Sequence, residues 1–129
     1  MIVVDASAIL EVLLQTPVAS LIGRRIFAAG ETLHTPHLLD LEIAQVLRRY
    51  CRMGVITADR GAEALADLSD LPLQRYPHFV LLPRIWQLRH NLTAYDSAYL
   101  ALAEVLGAPL VTRDRAFASV GTKVRIDLI

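Results

Sequence analysis

A chain of 129 residues has room for one ordinary hydrophobic core, and its 54% hydrophobic content is more than a monomer of that size readily hides, which points to self-association or a partner. Thirteen Lys and Arg against thirteen Asp and Glu give zero formal charge, so attraction to a polyanion has to be local. The single cysteine, Cys51, excludes an intrachain disulfide and a Cys-based zinc site. No uncharged stretch approaches the ~20 residues of a membrane span. Met1-Ile-Val-Val-Asp5 lacks the basic and long apolar regions of a signal peptide, and a reducing cytoplasm is the expected setting.

Ile2-Val-Val-Asp5 reads as a first strand, with a helix opening at Ala6-Ser7-Ala8-Ile9-Leu10. Leu33-His34-Thr35 reads as a second strand, and Leu39, Ile43, Val46, Leu47 and Tyr50 then form an apolar stripe at helical spacing. Thr57 has the chemistry of an N-cap for a further helix with Ala62, Leu65, Ala66 and Leu68 as its stripe. Leu73-Gln-Arg-Tyr76 is a third strand, followed by a helical stripe of Ile85, Trp86, Leu88 and Leu92. The segment from Thr93 to Leu106 is apolar nearly all round, the mark of a helix buried on several sides. Pro109-Leu-Val-Thr112 and Val124-Arg-Ile126 read as the last two strands. This alternation predicts an α/β fold with a mostly parallel sheet covered by helices on both faces. No linker or repeat interrupts it, so residues 1–129 are expected to form a single domain.

In an open parallel sheet, ligands bind outside the carboxyl ends of the strands. Asp5 closes the first strand, and Asp114 follows Leu110-Val-Thr-Arg113 and opens Arg115-Ala-Phe117. Asp is also a favoured N-cap whose charge suits the positive end of a helix, so both positions have a purely structural explanation as well. Asp96 has Leu92, Thr93, Tyr99 and Leu100 as helical neighbours, and Glu42 has Leu38, Leu39, Gln45 and Val46, so neither has a local cation. The alternatives are a capping box of Thr93 with Asp96 and an ordinary exposed Glu42. Asp40 competes with Glu42, but it falls near a helix start, where an acid is commonplace. Convergence of the four would create a repulsion that calls for a divalent cation. An all-oxygen donor set without a His/Cys cluster favours Mg²⁺ or Mn²⁺ over zinc. Such an ion can orient a water and stabilise charge on a phosphodiester.

Four segments carry one acid each, in order, over nearly the full length: Val3-Val-Asp5-Ala-Ser7-Ala8, Leu41-Glu42-Ile-Ala44-Gln-Val-Leu47-Arg48-Arg49, Leu88-Arg-His-Asn91-Leu-Thr-Ala-Tyr95-Asp96-Ser-Ala-Tyr99-Leu-Ala-Leu-Ala103 and Leu110-Val-Thr112-Arg-Asp114. Together they make the chain similar to PIN-domain ribonucleases of the VapC type, the toxins of bacterial toxin–antitoxin pairs. The resemblance implies a three-layer fold with a parallel sheet of about five strands in the order 3-2-1-4-5. It implies Asp5, Glu42, Asp96 and Asp114 as the catalytic, metal-binding acids, with Ser7 and Thr112 as supporting polar groups. It further implies an RNA substrate, a homodimer, and a VapB-type antitoxin whose C-terminal segment occupies the active-site groove. Arg113 stands where small residues are also common in this family, as a substrate contact or a member of an ion pair.

Arg48, Arg49 and Arg52 follow Glu42 on its helix, and Arg113 and Arg115 flank Asp114, which makes them candidate phosphate contacts; a solvated charged face is the alternative. His34, His37, His78 and His90 have no metal-pair spacing, and Trp86, Tyr95 and Tyr99 fall on apolar helical stripes as core or dimer contacts. A receiver-like signalling domain is a rival with the same length and acids at strand ends. It needs an Asp after the third strand and a Lys after the fifth, whereas Tyr76-Pro77-His78 stands at the first place and the only lysine, Lys123, precedes the second. A catalytically idle PIN-fold binding module is the other alternative, and it leaves four mutually repelling acids without a use.

Overall fold

Ile2, Val3 and Val4 are all fully shielded from solvent. Successive strand side chains point to opposite faces, so both faces of this strand are covered, as at the centre of a parallel sheet. The computed structural model describes residues 1–129. Strand Ile2–Val4 (β1) leads into helices Ala6–Leu13 (α1) and Ala19–Ile26 (α2), strand Leu33–Pro36 (β2), and helices Leu38–Arg52 (α3) and Ala58–Asp70 (α4). Strand Leu73–Tyr76 (β3), helices Leu82–Gln87 (α5) and Ala94–Leu106 (α6), and strands Leu110–Thr112 (β4) and Ile126–Leu128 (β5) complete the chain. Short 3₁₀ turns at Phe79–Leu81 and Arg115–Ser119 precede α5 and follow β4.

Every strand pairing is parallel, and the order is β3-β2-β1-β4-β5. This is the order the resemblance implies, and it excludes the receiver reading, whose sheet runs 2-1-3-4-5. The chain lays β2 and β3 on one side of β1 and then crosses to place β4 and β5 on the other. The reversal therefore lies at the carboxyl ends of β1 and β4, next to Asp5 and Asp114. Helix α6 lies across β1, β2 and β4 with α5 against it, while α1 packs on α2, α3, α4 and β4. Residues Ser97 to Ala103 of α6 are all buried, as an all-round apolar helix requires. Gly107, at φ 61°, ends that helix in the left-handed conformation open to glycine. No helix is long and apolar enough to cross a membrane.

Some elements differ from their sequence pattern. The fifth strand starts at Ile126 rather than Val124, because Thr122 Oγ1 accepts the Val124 amide at 3.1 Å and holds that stretch in a turn. Helix α4 buries Gly61, Ala64 and Leu68, so Ala62, Leu65 and Ala66 are outside the buried stripe. Gly61 faces α3 closely: a Cβ there would stand 3.0 Å from Cys51 Sγ, so the cysteine side chain would have to give by a few tenths of an ångström. Trp86 is not in the core but 67% exposed, with the Arg89 guanidinium 4.5 Å from its ring centre.

Candidate active site

Asp5 is both a helix cap and the floor of a crevice. Its Oδ1 accepts the Ala8 amide of α1 at 3.1 Å and the Ser7 hydroxyl at 2.7 Å, and its Oδ2 accepts the Thr112 hydroxyl from β4. The two hydroxyls reach further. Ser7 Oγ accepts the Arg113 amide at 2.9 Å, and Thr112 Oγ1 accepts the Asp114 amide at 2.9 Å. Ser7 and Thr112 thus join the ends of β1 and β4 into one hydrogen-bonded unit with Asp5 at its centre. Asp114 caps the turn after β4, accepting the Ala116 amide at 2.9 Å.

The other two acids arrive on helices. Thr93 Oγ1 caps α6 by accepting the Asp96 amide at 3.1 Å, which sets Asp96 in the first turn. Glu42 lies one turn into α3, and its Oε1 accepts the Tyr99 hydroxyl of α6 at 2.6 Å. Asp40, its competitor in the sequence, is held instead in a two-pronged ion pair by Arg75 of β3, at 2.7 and 2.9 Å.

Asp5, Glu42, Asp96 and Asp114 line one crevice of about 550 Å³, together with Ser7, Gln45, Tyr95 and Tyr99. No ion pair of the chain involves any of the four. The remaining unpaired acids, Asp59, Asp67 and Asp70, are exposed on α4, so the quartet is the set that is both shielded and unpaired. Burial pushes the Asp5 carboxyl up in spite of its hydrogen bonds from Thr112, Ser7 and Ala8, and the Asp114 charge adds to the rise. Burial likewise raises Glu42 against its Tyr99 bond, helped by the charges of Asp96 and Asp5. Asp96 is pushed up to about 6, first by burial and then by Asp114 and Asp5. Burial and the adjacent Glu42 raise the Tyr99 hydroxyl, which keeps it a donor.

Shielded, unpaired and all-oxygen, this donor set fits a hard divalent cation such as Mg²⁺ or Mn²⁺. No three of its side chains are drawn together tightly enough to close a coordination shell by themselves. That spacing suits an ion which keeps several waters. A larger cavity of about 870 Å³ lies at the amino ends of β4 and β5, but its Arg84 and Glu104 are already bonded to each other at 2.8 and 3.0 Å. Its one acid, Glu104, is thus already paired, and although Lys123 on its wall has no ion-pair partner, no cluster of acids faces it.

Arg113 reaches away from the crevice, to Glu11 at 3.4 Å and to the Ile129 carbonyl at 2.7 Å. Arg48 and Arg49 are exposed on α3. Tyr99, read in the sequence as a core or dimer contact, is buried but also fixes Glu42 through its hydroxyl; its place three residues after Asp96, on the same helix face, is the one local signal that could have drawn it into the site. Tyr95 is 64% exposed at the crevice wall rather than in the core.

Residues 2–123 match the family model described as the PIN domain. The VapC ribonuclease Mb0985 of Mycobacterium bovis is 47% identical over 94% of this chain and 91% of its own length. Among solved structures, PAE2754 from Pyrobaculum aerophilum superposes with a TM-score of 0.70 at 27% identity, over 96% of this chain and 81% of that one. VapBC2 from Rickettsia felis, solved bound to a DNA fragment from its promoter, shares the fold with a TM-score of 0.70 at 12% identity, over 98% and 97% of the two chains. The order of strands, the meeting of four unpaired acids at the sheet's reversal point and a full-length relative at this identity lead to one conclusion: the chain belongs to the PIN-domain family of VapC ribonucleases.

Proposed function

We propose that this chain is the toxin of a type II toxin–antitoxin pair, a single PIN domain that hydrolyses RNA phosphodiester bonds with Asp5, Glu42, Asp96 and Asp114 as its catalytic acids. The observation that carries the reading is that these acids, from four separate segments, are the only ones in the chain both shielded and without a cation. The same four residues would hold Mg²⁺ or Mn²⁺. Once bound, such an ion makes water a stronger nucleophile and offsets the negative charge that develops on the phosphodiester.

The protein's own contribution is placement. Asp5 is clamped by three donors on two elements, so its carboxylate cannot turn away from the crevice. Tyr99 engages one oxygen of Glu42 and leaves Oε2 for the site. Asp96, without a cation and pushed up to about 6 by burial and by Asp114 and Asp5, is an acid whose charge responds to what enters. Ser7 and Thr112 act as supporting groups that hold Asp5 and carry the amides of Arg113 and Asp114.

The partners follow from the same reading: an RNA substrate, a VapB-type antitoxin over the crevice, and a homodimer, in the cytoplasm. Exposed Phe79, Val80, Leu82 and Trp86, close in sequence around the start of α5, supply apolar surface for self-association. The direct test is cleavage of single-stranded RNA by purified protein with Mg²⁺ or Mn²⁺, its arrest by EDTA, and its loss in Asp96→Asn. Cleavage by Asp96→Asn at the parental rate would remove Asp96 from the site.

A further inference from the structure

The four acids repel an RNA strand, and zero formal charge offers no general attraction to compensate. Affinity has to come from the borders of the crevice, where two features lie unused by the acids. On its wall, Leu41 of α3 and Tyr95 of α6 are 76% and 64% exposed while lining the same cavity as the acids. Along α3 the crevice continues through Gln45 into a second depression of about 420 Å³, whose other walls are Arg48, Arg49, Arg52 and Met53. No acid lines that depression. Unlike Arg75, Arg84 and Arg113, which each carry an acid, these three arginines belong to no ion pair.

We propose that Tyr95 is a stacking platform for a nucleobase and that Arg48, Arg49 and Arg52 form a phosphate track, the two together holding the RNA strand beside the acids. This rests on the ribonuclease reading and adds the side chains that grip the strand. A base next to the scissile phosphodiester lies on the Tyr95 ring, with Leu41 bordering it, and the flanking phosphates follow α3 away from the acids. Along the helix the track begins about 9 Å from Glu42 at Arg48 and ends about 15 Å away at Arg52, so it leads away from the repulsion of the quartet. Arginine suits it, because the planar guanidinium grips phosphate with two parallel donors. Stacking on Tyr95 needs an unpaired base, which duplex RNA keeps inside its helix. A ring face takes any base, so this wall selects an open strand rather than a sequence.

The test measures binding of a labelled single-stranded oligoribonucleotide by anisotropy, on the full chain carrying Asp96→Asn so that the probe survives, with Mg²⁺ present. Tyr95→Ala is expected to weaken binding roughly 5- to 100-fold, and Tyr95→Phe to stay within about twofold of the parent. Replacing Arg48, Arg49 and Arg52 together by Ala should lower the slope of log affinity against log salt by about 2. Duplex RNA of equal length should compete poorly. Unchanged binding by Tyr95→Ala, an unchanged salt slope in the triple variant, or equal competition by duplex would each overturn the proposal. Weaker binding of an antitoxin by Tyr95→Ala with RNA affinity intact would also overturn it and give the wall to a protein partner. Cleavage by the unmodified chain is scored separately: its absence refutes the ribonuclease reading, whereas cleavage with unaffected binding variants refutes the track alone.

Discussion

Removing one charge from the quartet should make the metal-free protein more stable. Asp96→Asn is the informative change, because Asp96 is held near 6 against an ordinary value of 3.8. That gap is roughly two on the pH scale, and each whole step corresponds to ~1.4 kcal/mol, so keeping Asp96 ionised at neutral pH costs about 3 kcal/mol before screening. Solvent at the half-shielded carboxyl lowers this to about 1–2 kcal/mol. The sign follows from the raised value. Between about 6 and 3.8 the folded chain binds the proton that the unfolded chain has lost, so the parent gains stability as pH falls through that window. The amide carries no such dependence.

Urea or thermal unfolding in EDTA should therefore show Asp96→Asn ahead of the parent by about 1–2 kcal/mol at pH 7.5, or roughly 3–10 °C in Tm, with the advantage gone below pH 4. Millimolar Mg²⁺ should reverse the order, because an ion that binds only the folded state stabilises the parent by RT ln(1 + c/Kd), where c is the free Mg²⁺ concentration. A variant no more stable than the parent in EDTA at neutral pH refutes the claim that burial and the neighbouring acids make the ionised Asp96 costly to the fold. An unchanged order in Mg²⁺ refutes their joint role in holding the ion.

Thr112→Val keeps the shape of a fully buried side chain but removes the donor to Asp5 and the acceptor of the Asp114 amide, and urea unfolding should report a loss of about 1–3 kcal/mol. Tyr99→Phe frees Glu42 from its only hydrogen bond; kcat for RNA cleavage should fall about 10-fold with KM little changed, and equal kcat would return Tyr99 to a packing role. Cleavage at subsaturating Mg²⁺ should decline as pH falls through about 6, where Asp96 takes up a proton in competition with the ion, and saturating Mg²⁺ should shift that decline to lower pH. If the proposed homodimer forms through the apolar surface around α5, Trp86→Glu should leave a monomer in sedimentation at micromolar concentration where the parent sediments as a dimer, and an unchanged mass would place self-association elsewhere.

What the sequence disclosed and what it withheld divide along one physical line. Strand and helix types came from local period, which is why β1, β3 and the enclosed α6 could be read from their residues. Period alone does not settle rotation or register. Helix α4 turned by one residue, with Gly61 against Cys51, and β5 moved because Thr122 engages the Val124 amide. The acids were legible through a local absence, the lack of cations around Glu42 and Asp96. Distant partners were not: Asp40 is explained by Arg75 on β3, and Glu42 is held by Tyr99 on α6, across segments that no helical spacing connects. Exposure of Trp86 and Tyr95 was equally hidden, since an aromatic on an apolar stripe has the same pattern whether it faces the core or an interface.

Capping and a shared acidic site, rival explanations of the acids in sequence, are compatible levels of one arrangement. Asp5 and Asp114 accept the amides at the start of α1 and of the turn after β4, and those bonds fix where their carboxylates stand. Thr93 caps α6 and so sets Asp96 in its first turn, while Tyr99, one turn on, reaches across to Glu42. Each device is ordinary by itself and costs the fold little. The abnormal quantity is collective: burial overrides three hydrogen bonds at Asp5 and raises Glu42 and Asp96 as well, with no cation of the protein to answer it. A fold selected for stability alone would set an arginine in that crevice, as it does for Asp40 and Glu104. Its omission where four acids meet, next to three unpaired arginines along α3, separates the charge that would bind an ion from the charge that would bind its substrate.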